Sequence, residues 1–179
     1  MMNRALCNLV SNLVYLIGII GFSQESQINI GSEASYVELS GKNGGFLDSS
    51  QSWNSKMLSK KPITILTYVD PDNEKDNKHV EEELQRKYSN EQLEIFAIIN
   101  TKSSWLPDFA IKKKLRERQK KNKNLQILID KNRVIQNEWG LQDGKYHVLL
   151  FDKDGFLVFL KSGKLTVNDL EKLKNLIEN

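Results

Sequence analysis

Five acidic residues near the middle of the sequence have the spacing of a cation-binding loop. They are Asp70, Asp72, Glu74, Asp76 and Glu81. An EF-hand loop ends in a bidentate Glu at its twelfth position, which is where Glu81 stands when Asp70 is counted as the first. The sixth position of such a loop requires Gly, whereas this sequence has Lys75, and Lys78 stands at the ninth. We therefore favour an interpretation in which these acids cap and stabilise the N-terminus of a helix.

Other arrangements of reactive residues are sparse, and we name no catalytic residue. His79 and His147 are the only histidines, which is too few for a three-histidine zinc centre, and Cys7 is the only cysteine. The spacing assigns no Ser-His-Asp arrangement and no phosphate-binding loop. We expect no metal and no cofactor. The alternative that stays open is an enzyme with non-thiol, metal-assisted chemistry at the Asp70–Asp76 turn.

A dense run of cations follows in the second half of the sequence. Eight Lys and Arg residues fall within twelve positions, and Glu117 is the only acid among them. The run comprises Lys112, Lys113, Lys114, Arg116, Arg118, Lys120, Lys121 and Lys123. Such a surface can bind an acidic protein or an anionic lipid surface, although a plain solvated helix face is the interpretation we favour. No aromatic residue is interleaved with the cations, so we do not expect nucleic acid as a partner.

The first 23 residues have the layout of a secretory signal peptide. Arg4 gives a short positive start, Leu9–Ile20 is mostly apolar, and Gly21 and Ser23 are small residues at the end of the segment. The apolar run is shorter than the ~20 residues that a membrane-spanning helix needs. We expect cleavage after Ser23, a periplasmic or secreted product without cysteine, and no membrane span after cleavage. A retained N-terminal anchor is the alternative.

The rest of the chain must supply a single folded domain that positions these residues. The full sequence has 179 residues, of which 39% are hydrophobic and 27% charged, with a formal net charge of +3. This composition is ordinary for a soluble globular protein, and it excludes a multi-span membrane protein and a wholly disordered chain.

Five apolar runs, rich in β-branched and aromatic residues, predict the strands of a buried sheet. They are Ile63–Val69, Leu93–Ile99, Leu125–Ile129, His147–Phe151 and Phe156–Leu160. A possible short strand at Tyr36–Leu39 and a turn at Gly44-Gly45 precede them, within an N-terminal extension that we place at residues 24–60. The main domain then covers residues 61–179.

Helical patterns separate these strands. Val80 and Leu84 predict a first helix capped by Asp72 or Asn73. The second begins at Pro107 and carries a thin apolar stripe, which consists of Phe109, Ile111 and Leu115. Thr166 and Asp169 predict a capping box at the start of the last helix. The resulting order predicts a three-layer α/β/α fold with a mixed central sheet.

This order of elements resembles the thioredoxin-like fold from about Ile28 onward. Within that superfamily, the sequence resembles the YtfJ family of bacterial periplasmic proteins. The segments that carry the resemblance are WNSKMLSKKPITIL, AIIN, VLLFDKDG and KSGKLT. The resemblance implies a periplasmic domain whose site, if it were retained, would lie in the turn after the first central strand.

Two departures from the redox members of that superfamily bear on function. Their Cys-x-x-Cys motif aligns with Asp72, Asn73, Glu74 and Lys75, none of which can exchange a disulfide. Their cis-proline aligns with Tyr146, where the high cost of a non-proline cis bond predicts a trans peptide. We therefore expect a non-enzymatic binding or accessory protein of the bacterial periplasm, with an unknown protein or an anionic envelope component as partner. A regulator that binds anionic partners through its basic run is a further alternative.

Overall fold

A six-stranded mixed sheet forms the centre of the molecule. The computed structural model describes residues 27–49, 51–59, 63–104, 106–122 and 125–179. The predicted signal segment at residues 1–23 and Lys123 of the basic run lie outside them. The strands are β1 (Glu38–Leu39), β2 (Gly44–Phe46), β3 (Trp53–Asn54), β4 (Thr64–Val69), β5 (Glu94–Asn100), β6 (Leu125–Asp130), β7 (His147–Phe151) and β8 (Leu157–Ser162). The helices are α1 (Lys78–Lys87), α2 (Asp108–Lys121), α3 (Val134–Trp139) and α4 (Val167–Glu178).

The order of strands in the main sheet is β2-β6-β5-β4-β7-β8. Strands β4, β5 and β6 are parallel, and each of the other three runs antiparallel to its neighbour on the inner side. Strand β4 lies in the middle and every one of its residues is buried, which explains why its sequence is apolar without alternation.

Helices cover both faces of the sheet, so the predicted three-layer architecture is confirmed. Apolar residues of α1, α2 and α4 share one core with the first face of the sheet, including Val80, Leu115 and Leu173. Helices α1 and α2 lie on the same face because their two crossovers step in the same direction across the sheet. On the second face, a separate core includes Trp139 of α3, which contacts Phe151, and Trp53 of β3, which contacts Phe96. None of the helices in the described part of the chain is long and apolar enough to span a bilayer.

The turn predicted at Gly44-Gly45 is wrong, because both glycines belong to the edge strand β2. Gly44 pairs with Asp130 of β6 and adopts a φ of 127°. A Cβ atom at Gly44 would lie 1.8 Å from the carbonyl oxygen of Ile129. These residues are therefore glycine because two backbones approach closely, which is a different requirement from that of a turn.

The start of α1 also differs from the prediction that Asp72 or Asn73 caps it. Those residues belong to a separate 3-10 turn, Pro71–Asn73, and the residue that precedes α1 is the fully buried Asn77. The Asn77 side chain makes no capping hydrogen bond. It instead donates to the Gly163 carbonyl at 2.9 Å and accepts from the backbone N–H of Leu165 at 2.8 Å. Helix α1 is thus fixed by the loop between β8 and α4.

Two other helix predictions have different outcomes. The capping box of α4 is confirmed: the Thr166 hydroxyl accepts from the Asp169 N–H at 3.2 Å, and the Asp169 carboxylate accepts from the Thr166 N–H at 2.9 Å. The apolar stripe predicted for α2 is wrong at one end. Ile111 and Leu115 are buried, whereas Phe109 is 75% exposed because it faces away from the sheet.

Candidate functional site

Three polar residues stand in a row where the parallel strands end. Asp70 directly follows β4, while Asn100 and Asp130 are the last residues of β5 and β6 and pair with each other in register. All three are buried. The Asn100 amide donates to the Asp70 carboxylate at 2.6 Å and lies 3.3 Å from the Gln136 side-chain oxygen. In open α/β sheets, this edge is where ligands bind.

Asp130 has a structural role at this edge. Its carboxylate accepts hydrogen bonds from the backbone N–H groups of Asn132, Val134 and Ile135 at 3.1, 2.9 and 3.0 Å. The Tyr68 hydroxyl donates to it at 3.2 Å. Burial, and then the negative charge of Asp130, raise the pKa of Tyr68 far above its usual value. Asp130 therefore organises the entry into α3 and has few lone pairs left for a ligand.

His147, the first residue of β7, is also held by local contacts. Its Nε2 atom lies 2.8 Å from the Gln142 carbonyl oxygen, and its Nδ1 atom lies 2.9 Å from the Ser162 hydroxyl. Burial lowers the pKa of His147, although the Gln142 carbonyl and Asp70 oppose the shift. The ring is thus neutral near pH 7 and links two chain segments. The other histidine, His79, is exposed on α1.

The turn that the resemblance predicts to replace the redox motif, Asp72–Lys75, contains two side chains with tertiary contacts and two exposed side chains. Asn73 donates to the Gly144 carbonyl at 2.9 Å. Glu74 forms ion pairs with Lys114 and Arg118 of α2. Asp72 and Lys75 are exposed. The turn therefore offers no thiol, and the contacts of Asn73 and Glu74 hold it against neighbouring elements.

Glu81 of α1 is the centre of a buried polar cluster beneath this turn. Its carboxylate accepts a hydrogen bond of 2.7 Å from the Tyr146 hydroxyl and one of 3.4 Å from Thr67, and it forms an ion pair with Arg118. The side chain of Arg118 is only 16% exposed. We call these four residues, Thr67, Glu81, Arg118 and Tyr146, the Glu81 cluster.

The charges of the Glu81 cluster compensate each other. Burial raises the pKa of Tyr146 well above its usual value, and the Glu81 carboxylate raises it further, so the hydroxyl stays protonated and donates. Burial opposes the charge of Arg118, but the Glu81 carboxylate outweighs it and raises the net pKa of the guanidinium. No peptide bond in the described ranges is cis, and the bond before Tyr146 is accordingly trans.

The contacts of the acidic residues do not favour a shared cation. Asp70 binds Asn100, Glu74 binds Lys114, and Glu81 binds Tyr146 and Arg118, so the carboxylates diverge. Within the described residues, no group of three or more His, Cys, Asp or Glu side chains has a geometry that could hold a metal ion.

The described part of the basic run lies within α2, and its cations point to different sides of that helix. Lys114 and Arg118 point towards α1 and pair with Glu74, and Arg116 pairs with Asp48 on the opposite side. The remaining cations form no ion pair with any acid in the described part of the chain, and they are Lys112, Lys113, Lys120 and Lys121. Arg118 is therefore part of the Glu81 cluster and not of the exposed cationic surface.

Sequence reasoning named each charged member of the Glu81 cluster but did not connect them. A signal was present in the helical spacing. Glu81 lies between Val80 and Leu84 on the apolar stripe of α1, and Arg118 follows Leu115 by three residues on that of α2. A carboxylate and a guanidinium on two facing apolar stripes indicate a buried ion pair.

Several solved structures have a similar fold and low sequence identity to this chain. The exposed lipoprotein thioredoxin of Streptococcus pneumoniae has a TM-score of 0.56 and 13% identity, covering 80% of this chain and 98% of that one. The thioredoxin domain of a thiol-disulfide oxidoreductase from Bacteroides vulgatus has a TM-score of 0.57 and 12% identity, covering 84% and 99%. The 2-Cys peroxiredoxin of Plasmodium vivax has a TM-score of 0.56 and 14% identity, covering 83% and 96%. These similarities show that the fold is thioredoxin-like.

Sequence comparison gives a more specific relationship. A segment of 67 residues is 27% identical to an uncharacterised protein of Haemophilus influenzae, and it spans 37% of this chain and 36% of the relative. The model of a family described as bacterial protein of unknown function, YtfJ_HI0045, matches residues 23–179. Because this match covers most of the chain, the protein belongs to the YtfJ_HI0045 family.

Proposed function

We propose that this protein is an exported, non-enzymatic binding or accessory protein of the bacterial periplasm. The observation that supports this is the state of the turn after β4. Where redox thioredoxins carry two cysteines, the chain has Asp72–Lys75, and the neighbouring buried groups of the Glu81 cluster are bonded to one another. Disulfide exchange needs a thiolate within reach of the substrate, and this turn presents none.

The proposal of export rests on the sequence of residues 1–23. Mass spectrometry of the protein purified from its native host should find a new N-terminus close to Gln24. Fractionation should place that product outside the cytoplasm. An intact Met1 in a cytoplasmic fraction would remove the basis for the periplasmic assignment.

The absence of thiol chemistry has a direct test. A protein without a thiol cannot pass electrons to a disulfide by exchange. Insulin reduction and thiol oxidation by the processed protein should therefore match the buffer blank. The matched controls are the unprocessed wild-type chain, which retains Cys7, and its Cys7→Ser variant. Any activity that is due to this cysteine should be present in the first and absent from the second. Turnover by the Cys7→Ser variant would show that the proposal has missed a reactive group.

Binding can be separated from metal-assisted catalysis at the acidic turn. In a binding protein whose partner docks elsewhere, the double variant Asp72→Asn, Asp76→Asn should capture the same envelope partners as the wild type. An enzyme that depends on these acids would lose its activity in the same variant. Capture from native envelope extracts with the processed protein, analysed by mass spectrometry, is the experiment that tests the proposed function.

A further inference from the structure

The outward face of α2 combines an exposed aromatic ring with a row of cations. Phe109, Lys113, Arg116 and Lys120 follow one another at spacings of four, three and four residues, so they lie on one side of the helix. The aromatic ring is 75% exposed, the Arg116 side chain is 51% exposed, and both lysines are exposed. The buried side of the helix, with Ile111 and Leu115, faces the sheet.

The charge of this face is mostly uncompensated. Lys112 lies beside the row, and none of Lys112, Lys113 and Lys120 forms an ion pair among the described residues. Asp48 pairs with Arg116 from the side, whereas Glu117 and Lys121 line the groove between α2 and α1. We define the cationic face of α2 as Lys112, Lys113, Arg116 and Lys120.

The N-terminal end of the same helix is apolar and open to solvent. Leu106, two residues before the first residue of the helix, is 39% exposed, so a second apolar side chain near Phe109 is open to solvent. Val167, at the start of α4, is as exposed as Phe109 but has no comparable row of cations beside it on its helix. Of these two helices, only α2 therefore combines an exposed apolar N-terminal end with a row of cations.

We propose that the cationic face of α2 docks on a bilayer surface that contains anionic phospholipid, with Phe109 and Leu106 inserting among the acyl chains. Lys and Arg side chains on one helix face suit the negatively charged headgroups of such a bilayer. An aromatic or leucine side chain beside them suits the apolar layer beneath those headgroups. A single protein partner would instead require acids placed opposite individual lysines. In a helix of 14 residues, about 21 Å long, Lys112, Lys113, Arg116 and Lys120 lie within about 100° of one another around the axis, so these four cations can approach one plane together.

This inference names the partner of the proposed binding function, and it rests on export to the envelope. The test measures binding of the protein purified from cells to two kinds of vesicle, phosphatidylglycerol mixed with phosphatidylcholine and pure phosphatidylcholine. We expect binding to the anionic vesicles, weakening strongly between ~0.1 M and ~1 M salt, since exposed charges are screened within a Debye length. Any contribution of the N-terminal apolar segment is the same in all variants.

Two variants with matched controls identify the surface. Lys112→Gln, Lys113→Gln, Lys120→Gln together should weaken binding about 100-fold, whereas the control Lys145→Gln, Lys153→Gln, Lys164→Gln changes the charge equally elsewhere and should leave most binding intact. Phe109→Ser should weaken binding about 10-fold, and the equally exposed Val167→Ser should not. All variants should keep the wild-type Tm.

Three results would overturn the proposal. They are equal binding to both vesicle types, equal effects of the two triple variants, and equal effects of Phe109→Ser and Val167→Ser. Capture of an acidic protein without lipid, lost in the first triple variant while vesicles are ignored, would also overturn it and would leave the binding function standing. Failure of the binding function itself would be visible in the N-terminal mass and in the thiol assays, which involve no vesicles.

Discussion

Tyr146 donates a hydrogen bond of 2.7 Å to the carboxylate of Glu81, which lies 65 residues earlier in the chain. The sequence resemblance predicts that Tyr146 stands at the cis-proline position of redox thioredoxins, and that the turn before the helix of Glu81 stands at their cysteine motif. In this protein Tyr146 and Glu81 form part of a buried polar cluster together with Arg118. The two segments that the resemblance predicts for a redox site are therefore hydrogen-bonded to each other.

Removing the charge of Glu81 should destabilise the fold strongly. In Glu81→Gln, the largely buried guanidinium of Arg118 loses its main countercharge. The loss of one partner of a buried ion pair costs about 3 kcal/mol of unfolding free energy. Urea unfolding measures this change, with Glu82→Gln as control because Glu82 forms an exposed ion pair with Lys78. Equal stability of the two variants would contradict the buried role of Glu81.

Removing the Tyr146 hydroxyl should have a smaller effect. Tyr146→Phe keeps the buried ring but deletes the donor to a charged acceptor, which we expect to cost about 2 kcal/mol. The control is Tyr36→Phe, since the Tyr36 hydroxyl donates to Glu38 at 2.9 Å on an exposed ring. In a double-mutant cycle, Tyr146→Phe and Glu81→Gln should be clearly non-additive. Additive effects would show that the hydrogen bond contributes little.

The edge strand β2 should not tolerate a side chain at Gly44. In Gly44→Ala, the new Cβ would collide with the Ile129 carbonyl oxygen and sit at an unfavourable φ. Gly144→Ala is the matched control because its φ is also positive, at 67°, but nothing lies within 4 Å of its Cβ position. We expect Gly44→Ala to lose at least about 2 kcal/mol more than the control in thermal or urea unfolding. Similar losses of stability in the two variants would mean that the positive φ alone, and not the close approach of the Ile129 backbone, requires glycine at position 44.

The capping box of α4 predicts how the stability of the fold depends on pH. The backbone N–H and hydroxyl of Thr166, and then Lys161, lower the pKa of Asp169 to about 2 from its ordinary 3.8. A lowered folded-state pKa stabilises the fold above the unfolded-state pKa, and this contribution disappears as the pH falls through the folded-state pKa.

The difference in Tm between wild type and Asp169→Asn should therefore be constant near neutral pH and shrink between about pH 4 and pH 2. Circular dichroism melts across this range measure the effect. The control is Asp154→Asn, which removes an exposed carboxylate between β7 and β8 and leaves the capping box intact. A difference that persists below pH 2 would exclude the ionised capping box as its source.

Most of the fold could be predicted because its core strands are apolar without interruption. β4 and β7 match their predicted runs to within one residue, since complete burial leaves a continuous signal in the sequence. β2 was missed because its glycines also suit a turn, and only the approach of the Ile129 backbone decides between the two. A close backbone contact with a residue so far along the chain leaves no local pattern.

The candidate site was harder to predict because its contacts join distant segments. Asp70 and Glu81 have the spacing of a calcium loop, but their partners, Asn100 and Arg118, come from β5 and α2. The sequence also does not predict the exposure of Phe109, because an aromatic residue close to two core residues of a helix is normally interpreted as a third core residue. Spacing along one helix indicates which face a residue occupies, and the packing of the neighbouring element decides whether that face is covered.

The anchoring of α1 has a consequence for the order in which the domain can fold. Its first turn is fixed by Asn77 through Gly163 and Leu165, and Tyr88 at its other end donates to Glu178 at 2.8 Å. Both ends of the helix thus depend on segments some 90 residues further along the chain. Because closing such long loops costs conformational entropy, α1 can take its final position only when α4 and the loop before it have docked.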